Sequence, residues 1–185
     1  MDCMANSENG WGVVPNYGHA LLYTWKIPTK GGETRITMRR GSVGFVLAHA
    51  VLYWDDNIEP VHGKILDDWG YAPRPVRGSY VPSNHASGTA VDVNATRHPL
   101  GVKWTMRGKF NTLKRWLASS IYVVNGRSIL RWGGTYSGRR DEMHIELRPG
   151  VTMRECEIVA KRLMRRSGGK RILALNPSQR KVILS

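Results

Sequence analysis

The sequence predicts an α+β domain in which helices flank a small antiparallel sheet. Three observations point there: short runs rich in β-branched and aromatic residues bounded by Gly and Pro, two stretches with apolar residues at helical spacing, and a capping-box pattern opening a further helix. With 185 residues, 41% of them hydrophobic, the chain fits one compact domain. It is too apolar to be disordered, and no run approaches the roughly 18 apolar residues that span a bilayer, so no membrane partner is expected.

Residues 1–19, rich in Asn, Gly and Pro, read as an N-terminal lead-in. The first eight, Met1 to Glu8, have neither a basic start nor an apolar stretch, so no secretory signal is expected. Strands are predicted over 20–27 and 34–38, separated by the turn-forming Pro28-Thr29-Lys30-Gly31-Gly32. Ser42 is placed as the N-cap of a helix reaching Asp56, because Val43, Val46, Leu47, Ala50, Val51 and Trp54 recur at spacings of 3 and 4. The Pro- and Gly-rich stretch 69–84 reads as irregular chain, and such long loops usually carry function.

Thr89 to Asn94 then reads as a buried strand, with Ala90, Asp92 and Asn94 on one face. A second helix is expected from Thr105, with Met106, Phe110, Leu113 and Leu117 inward, and strands over 129–132 and 143–147 flank the glycine-rich loop 133–138. Thr152 and Glu155 form a capping box at the head of the last helix, and Ser167-Gly168-Gly169 is expected to stop it. The division is thus a lead-in over 1–19, a domain over 20–166 and a basic C-terminal tail over 167–185.

The net charge of +14 calls for a polyanionic partner, with nucleic acid, anionic lipid and bacterial wall all eligible. Residues 158–185 hold eight Lys or Arg and no acid, more than half of that excess. Hydrophobic residues of the tail, among them Ile172, Leu173 and Ile183, leave docking onto the domain as the alternative to a free electrostatic role. Two cysteines, Cys3 and Cys156, cannot build a disulfide framework or a Cys-based zinc site, so any metal must rest on His and carboxylates.

One such set is available. His85 and Asp92 stand seven residues apart and meet only if the chain turns, which Ser87-Gly88 permits, and His144 opens a strand whose Ile145 and Leu147 face the core. Two His, one Asp and a water in the fourth position make the composition of a catalytic zinc site. The competing reading takes both histidines as ordinary polar residues at a loop and a strand end. His19, His49, His62 and His98 show no partner pattern, and five of the seven tryptophans, at 54, 69, 104, 116 and 132, read as core or groove wall.

Three phrases carry a resemblance: Tyr71-Ala72-Pro73-Arg74-Pro75-Val76-Arg77-Gly78-Ser79, then Ser83-Asn84-His85-Ala86-Ser87-Gly88-Thr89-Ala90-Val91-Asp92, then Asp141-Glu142-Met143-His144-Ile145-Glu146. Over residues 7–164 the chain resembles the zinc D-Ala-D-Ala carboxypeptidase and L-alanyl-D-glutamate endopeptidase family, in particular the peptidase domains of bacteriophage endolysins of the kind made by mycobacteriophages. That resemblance implies the hedgehog/DD-peptidase-like zinc peptidase fold, one zinc held by His85, Asp92 and His144, and Asp141 as general base. It also implies Arg74 as the group facing the substrate's carboxylate or scissile carbonyl, with Ser83 beside the substrate. Tyr136 is read either as groove wall touching substrate or as an exposed loop tyrosine.

The implied function is a zinc metallopeptidase that hydrolyses a stem-peptide amide of peptidoglycan, as an L-alanyl-D-glutamate endopeptidase or a D-Ala-D-Ala carboxypeptidase. An endolysin would act as a monomer, wait in the host cytoplasm for release to the wall, and use the basic tail on anionic wall polymers. One conflict stands. If 141–147 were all strand, Glu142 would share the face of His144 and Asp141 would not, so Glu142 is the alternative base. Glu146 reads as an acceptor for the second N–H of a ligand imidazole. A catalytically silent wall-binding protein and a nucleic-acid-binding protein are the rival readings.

Overall fold

The computed structural model describes residues 5–61 and 65–184, so Cys3 and His62 lie outside the described residues. A hairpin opens the fold. β1 (Leu22–Thr29) and β2 (Gly32–Arg39) pair antiparallel from Leu22↔Arg39 to Thr29↔Gly32, leaving Lys30-Gly31 as a two-residue turn in place of the expected five-residue loop. Alternation buries Trp25, Ile27, Ile36 and Met38 on one face. That face meets α1 (Ser42–Asn57), of which thirteen residues are buried, so this helix is the centre of the core. Ser42 is not the N-cap. Gly41 holds that position at φ 69°, a conformation that favours glycine, and its N–H donates to Gln179 Oε1.

The second layer is a three-stranded antiparallel sheet, β3 (Ala90–Asp92), β7 (His144–Leu147) and β6 (Leu130–Trp132), with β7 in the middle. Val91, Ile145, Leu147, Leu130 and Trp132 turn into the core. Pairing Asp92↔His144, Ala90↔Glu146 and Arg131↔Glu146 places the polar side chains together on the opposite face. A short hairpin, β4 (Val123–Val124) and β5 (Arg127–Ser128), precedes β6.

Two expected elements move. α2 (Phe110–Leu117) begins after a 3-10 turn over Arg107–Lys109, because the Thr105 hydroxyl and the Met106 N–H are already engaged by Glu142. The strand ending at Asp92 releases Asn94 to φ 51°, and its amide donates to Glu59 and to Pro60 O, away from the face of Asp92. The capping box of α3 (Met153–Met164) is present in both directions between Thr152 and Glu155.

The stretch expected as a loose basic tail is two packed helices, α4 (Ser167–Leu175) and α5 (Pro177–Leu184). Ser167-Gly168-Gly169 follows the end of α3, as expected, but opens α4 instead of leaving the chain free. A Cβ on Gly169 would lie 2.0 Å from Leu163 O, so glycine is what lets α4 fold back against α3. Ile172 and Ile183 join the core, Arg171 pairs with Asp56 at 2.7 Å, and Asn176 receives the Lys26 N–H while donating to Lys26 O and Ile172 O. Asn176 thereby extends the pairing of β1's outer edge. Its replacement by Ala leaves both backbone groups of Lys26 unpaired and is expected to cost roughly 2 kcal/mol, lowering Tm by about 4–8 °C in a thermal melt. An unchanged Tm would mean the C-terminal helices do not hold the hairpin.

Candidate metal centre and its groove

His85 sits in a tight turn tied by Ala86 N to Ser83 O and Gly88 N to His85 O. Gly88 takes φ +68°, and a Cβ there would lie 2.8 Å from Arg39 N, so only glycine lets the turn press on β2. Arg39 closes it by donating to Ser87 O at 2.8 Å and Gly12 O at 3.3 Å. Gly70 is equally confined, with Thr37 O 2.1 Å from the place of a Cβ. Its carbonyl thereby stands 2.5 Å from His85 Nδ1. Asp92 and His144 face each other across β3 and β7, and Trp69 clasps Asp92 through both backbone bonds.

The hydrogen bonds fix which nitrogen of each imidazole is free. His85 donates Nδ1–H to Gly70 O, so its neutral ring presents a lone pair on Nε2. His144 donates Nε2–H to Glu146 Oε2 at 3.0 Å, so its lone pair is on Nδ1. Those two atoms lie 3.2 Å apart, and Asp92 Oδ1 is 3.2 Å from the first and 2.8 Å from the second. Three lone pairs thus meet in one small triangle with no donor of their own, and all three residues are buried. A cation is what this donor set lacks. Ligand atoms about 2.0–2.1 Å from a tetrahedral zinc ion stand roughly 3.3 Å apart, close to the separations here. The residues fit zinc.

A proton meets the same deficit when no metal is bound. Burial alone would lower the His144 pKa, yet hydrogen bonds and charge from Asp92 and Glu146 raise it well above the ordinary value. Burial likewise pushes Asp92 up, but His85 and His144 outweigh it and hold the carboxyl well below the usual range. Glu146 is held down to about 2, since His144, Tyr136 and Asn84 overcome its burial. Asn84 donates to Glu146 at 2.5 Å and Tyr136 OH at 2.7 Å, with the Arg131 guanidinium 4.2 Å above the Tyr136 ring. Tyr136 is therefore half-buried and anchored, not a free loop side chain.

Of the remaining sequence candidates, Asp141, Arg74 and Ser83 line one groove of about 690 Å³ with the three metal-site residues. Asp141 precedes β7 in a turn closed by His144 N to Asp141 O, so strand alternation does not govern it. Its Oδ1 is buried without a hydrogen-bond partner among the described residues. Burial, joined by the charge of Asp92, pushes its carboxyl up to about 6 against the pull of His144, His85 and Arg74. Glu142 points elsewhere. Fully buried, it accepts from Trp104 N, Thr105 Oγ1 and Met106 N and so anchors the approach to α2. Arg74 is exposed at the groove, and Ser83 Oγ caps the His85 N–H at 3.3 Å.

Three of the histidines given no role do have partners, His19 Nδ1 accepting the Leu21 N–H at 3.2 Å. His98 bridges Glu59 and Thr105, each at 2.7 Å, and His49 meets Tyr122 OH at 2.7 Å, with burial lowering the His49 pKa to about 4. Trp69 and Trp104 are half exposed, Trp69 at the groove, whereas Trp54 and Trp132 are core. Gly70 and Arg39 could not be found from spacing, because their contacts join distant segments.

Residues 77–147 match the sequence model of a family described as D-alanyl-D-alanine carboxypeptidase. The matched segment contains His85, Asp92, Asp141 and His144, while Arg74 lies just before it. No curated protein and no solved structure shows a significant match.

Chelator-stripped protein is expected to take up one zinc per chain and release a proton as it does so, so that affinity rises with pH. His85→Ala and His144→Ala should abolish stoichiometric uptake, and Glu146→Gln should weaken it about 10–100-fold, all read by calorimetry. Uptake unaffected by pH and by these variants would place the ion elsewhere.

Proposed function

We propose that the chain is a zinc-dependent peptidoglycan peptidase that hydrolyses a stem-peptide amide bond, as an L-alanyl-D-glutamate endopeptidase of the phage endolysin kind. The observation that carries this reading is the triangle of His85, Asp92 and His144 lone pairs in a groove that also receives an unpartnered carboxylate, all within the segment matching the carboxypeptidase family. Bound there, zinc would supply Lewis acidity and make water acidic enough to attack at neutral pH.

Asp141 takes the proton of the attacking water and passes it to the leaving amine. Its carboxyl suits both steps, because a pKa brought toward neutrality can accept and return a proton near working pH. Arg74, charged and free at the groove, steadies the carbonyl oxygen or a carboxylate of the substrate. Ser83 and Tyr136 line the wall against which the peptide lies. Gly70 and Glu146 hold the two imidazoles so that their free nitrogens stay aimed at one point.

The endopeptidase reading is supported by the groove's extension. Glu8, Tyr136, Arg139 and Glu146 line both the 690 Å³ groove and a second hollow of about 380 Å³, so the groove continues past Glu146 into further room for chain. The family description favours the second reading, a D-Ala-D-Ala carboxypeptidase. An endolysin role adds that the monomeric protein waits in the host cytoplasm until released to the wall, where its positive charge meets anionic wall polymers.

Purified protein incubated with isolated cell walls should release peptides, lose that activity to a chelator and regain it with zinc. New free termini between L-Ala and D-Glu are expected, and released D-Ala would instead establish the carboxypeptidase. Walls left intact by zinc-loaded protein would refute both. Asp141→Asn should keep its zinc while kcat falls by about 10²–10⁴, and Glu142→Gln should lower Tm with far less effect on kcat. The reverse ranking would make Glu142 the base.

A further inference from the structure

The hollow beyond the metal centre is bounded on one side by the N-terminal strap. Ser7 and Asn9 are its buried anchors: Ser7 Oγ meets Ser87 Oγ at 2.8 Å, and Asn9 donates to Thr89 Oγ1 at 2.8 Å and to Leu147 O at 3.2 Å. Between them the Glu8 N–H binds Pro82 O, which leaves its exposed side chain lining the hollow. Across from it the loop after β6 contributes Ser137, Gly138 and Arg139. The strap lies outside the segment that matches the family.

The charges in this hollow are unusual. Glu146 is fully used by His144, Asn84 and Tyr136, and Arg131 is partly committed, 3.5 Å from Glu146 and stacked on Tyr136. Glu8 and Arg139 make no ion pair with each other or with any other described residue. One free carboxylate and one free guanidinium therefore face the same 380 Å³ space without neutralising each other. A ligand with a lone anionic group would satisfy Arg139 and be repelled by Glu8, and a lone cation would meet the converse. A group carrying both charges satisfies both.

We propose that this hollow is a subsite for a zwitterionic amino-acid end group, its ammonium held by Glu8 and its carboxylate by Arg139 with Arg131 behind it. Resting on the peptidase reading above, it makes the enzyme selective for stem peptides whose diamino acid ends in a free second α-amino acid centre.

The test uses two synthetic stem peptides that differ only there, one ending in –CH(NH3+)–COO− and the other in the –CH2–NH3+ of lysine. Cleavage by zinc-loaded protein is followed by mass spectrometry, and binding to zinc-loaded Asp141→Asn protein by calorimetry. The wild type should favour the zwitterionic peptide about tenfold in kcat/KM, mainly through KM. Arg139→Gln should shrink that ratio toward one, and added to Asp141→Asn it should shrink the ratio of Kd values likewise, as expected for loss of one charge-assisted pair, whereas Glu8→Gln should weaken both peptides, since each carries the ammonium. A wild-type ratio near one, an Arg139→Gln protein that keeps the wild-type ratio, or a Glu8→Gln protein that binds both peptides as tightly as before would overturn the subsite. Selective binding of the zwitterionic peptide without cleavage would refute the peptidase reading and leave the subsite standing, and failure to bind either peptide would overturn both.

Discussion

Three electron pairs, on His85 Nε2, His144 Nδ1 and Asp92 Oδ1, converge where almost no solvent reaches. Burying such a cluster without a compensating charge costs several kcal/mol, so the site must hold a cation or a proton. The surrounding polar contacts serve that arrangement. Gly70 O fixes one ring and Glu146 the other, and Glu146 is fixed in turn by Asn84 and Tyr136. Even the Asn84 amide is oriented, since its Oδ1 accepts the Asn9 N–H and thus directs its NH2 at Glu146. The strap, the sheet and the turn around His85 are linked through this chain of donors.

The scaffold supplies accuracy by close backbone approach. Gly70 and Gly88 both press against β2, at places where a Cβ would collide with Thr37 or Arg39. β2 is held by β1, and both lie on α1, while α4 and Asn176 brace the outer edge of β1. A disturbance at the C-terminal helices would therefore reach the metal centre through the hairpin, although among the described residues beyond His144 only Glu146 hydrogen-bonds a ligand side chain. The same economy separates two adjacent carboxylates. Asp141, in the turn before β7, is left unpartnered in the groove, and Glu142, next to it, is consumed by three donors from residues 104–106.

Local chemistry was legible in the sequence, and distance was not. The turn at Ser87-Gly88, the strand alternation behind Asp92 and His144, and the capping box at Thr152 are all written within a few residues, and the structure contains each of them. Glu146 was readable as the partner of His144 because it lies two positions along the same strand face. Long-range partners left no such mark. Nothing near Gly169 announces that Leu163 will pack on it, so a glycine pair that ordinarily ends a helix reads locally as a break where the structure opens α4. His98 and Glu142 looked unattached or available for the same reason, their partners being residues brought near only by folding. Arg39 and Gly70 position His85 across the interface between hairpin and loop, where periodicity carries no information.

Anomalous diffraction at the zinc absorption edge, from crystals of the full chain grown with zinc, tests the central claim most directly. The account requires one ion per chain, bonded at about 2.0–2.1 Å to His85 Nε2, His144 Nδ1 and an Asp92 oxygen, with Glu146 still on His144 Nε2 and not on the metal. An ion bound through His144 Nε2 or Glu146, or no ion at this position at saturating zinc, would contradict it.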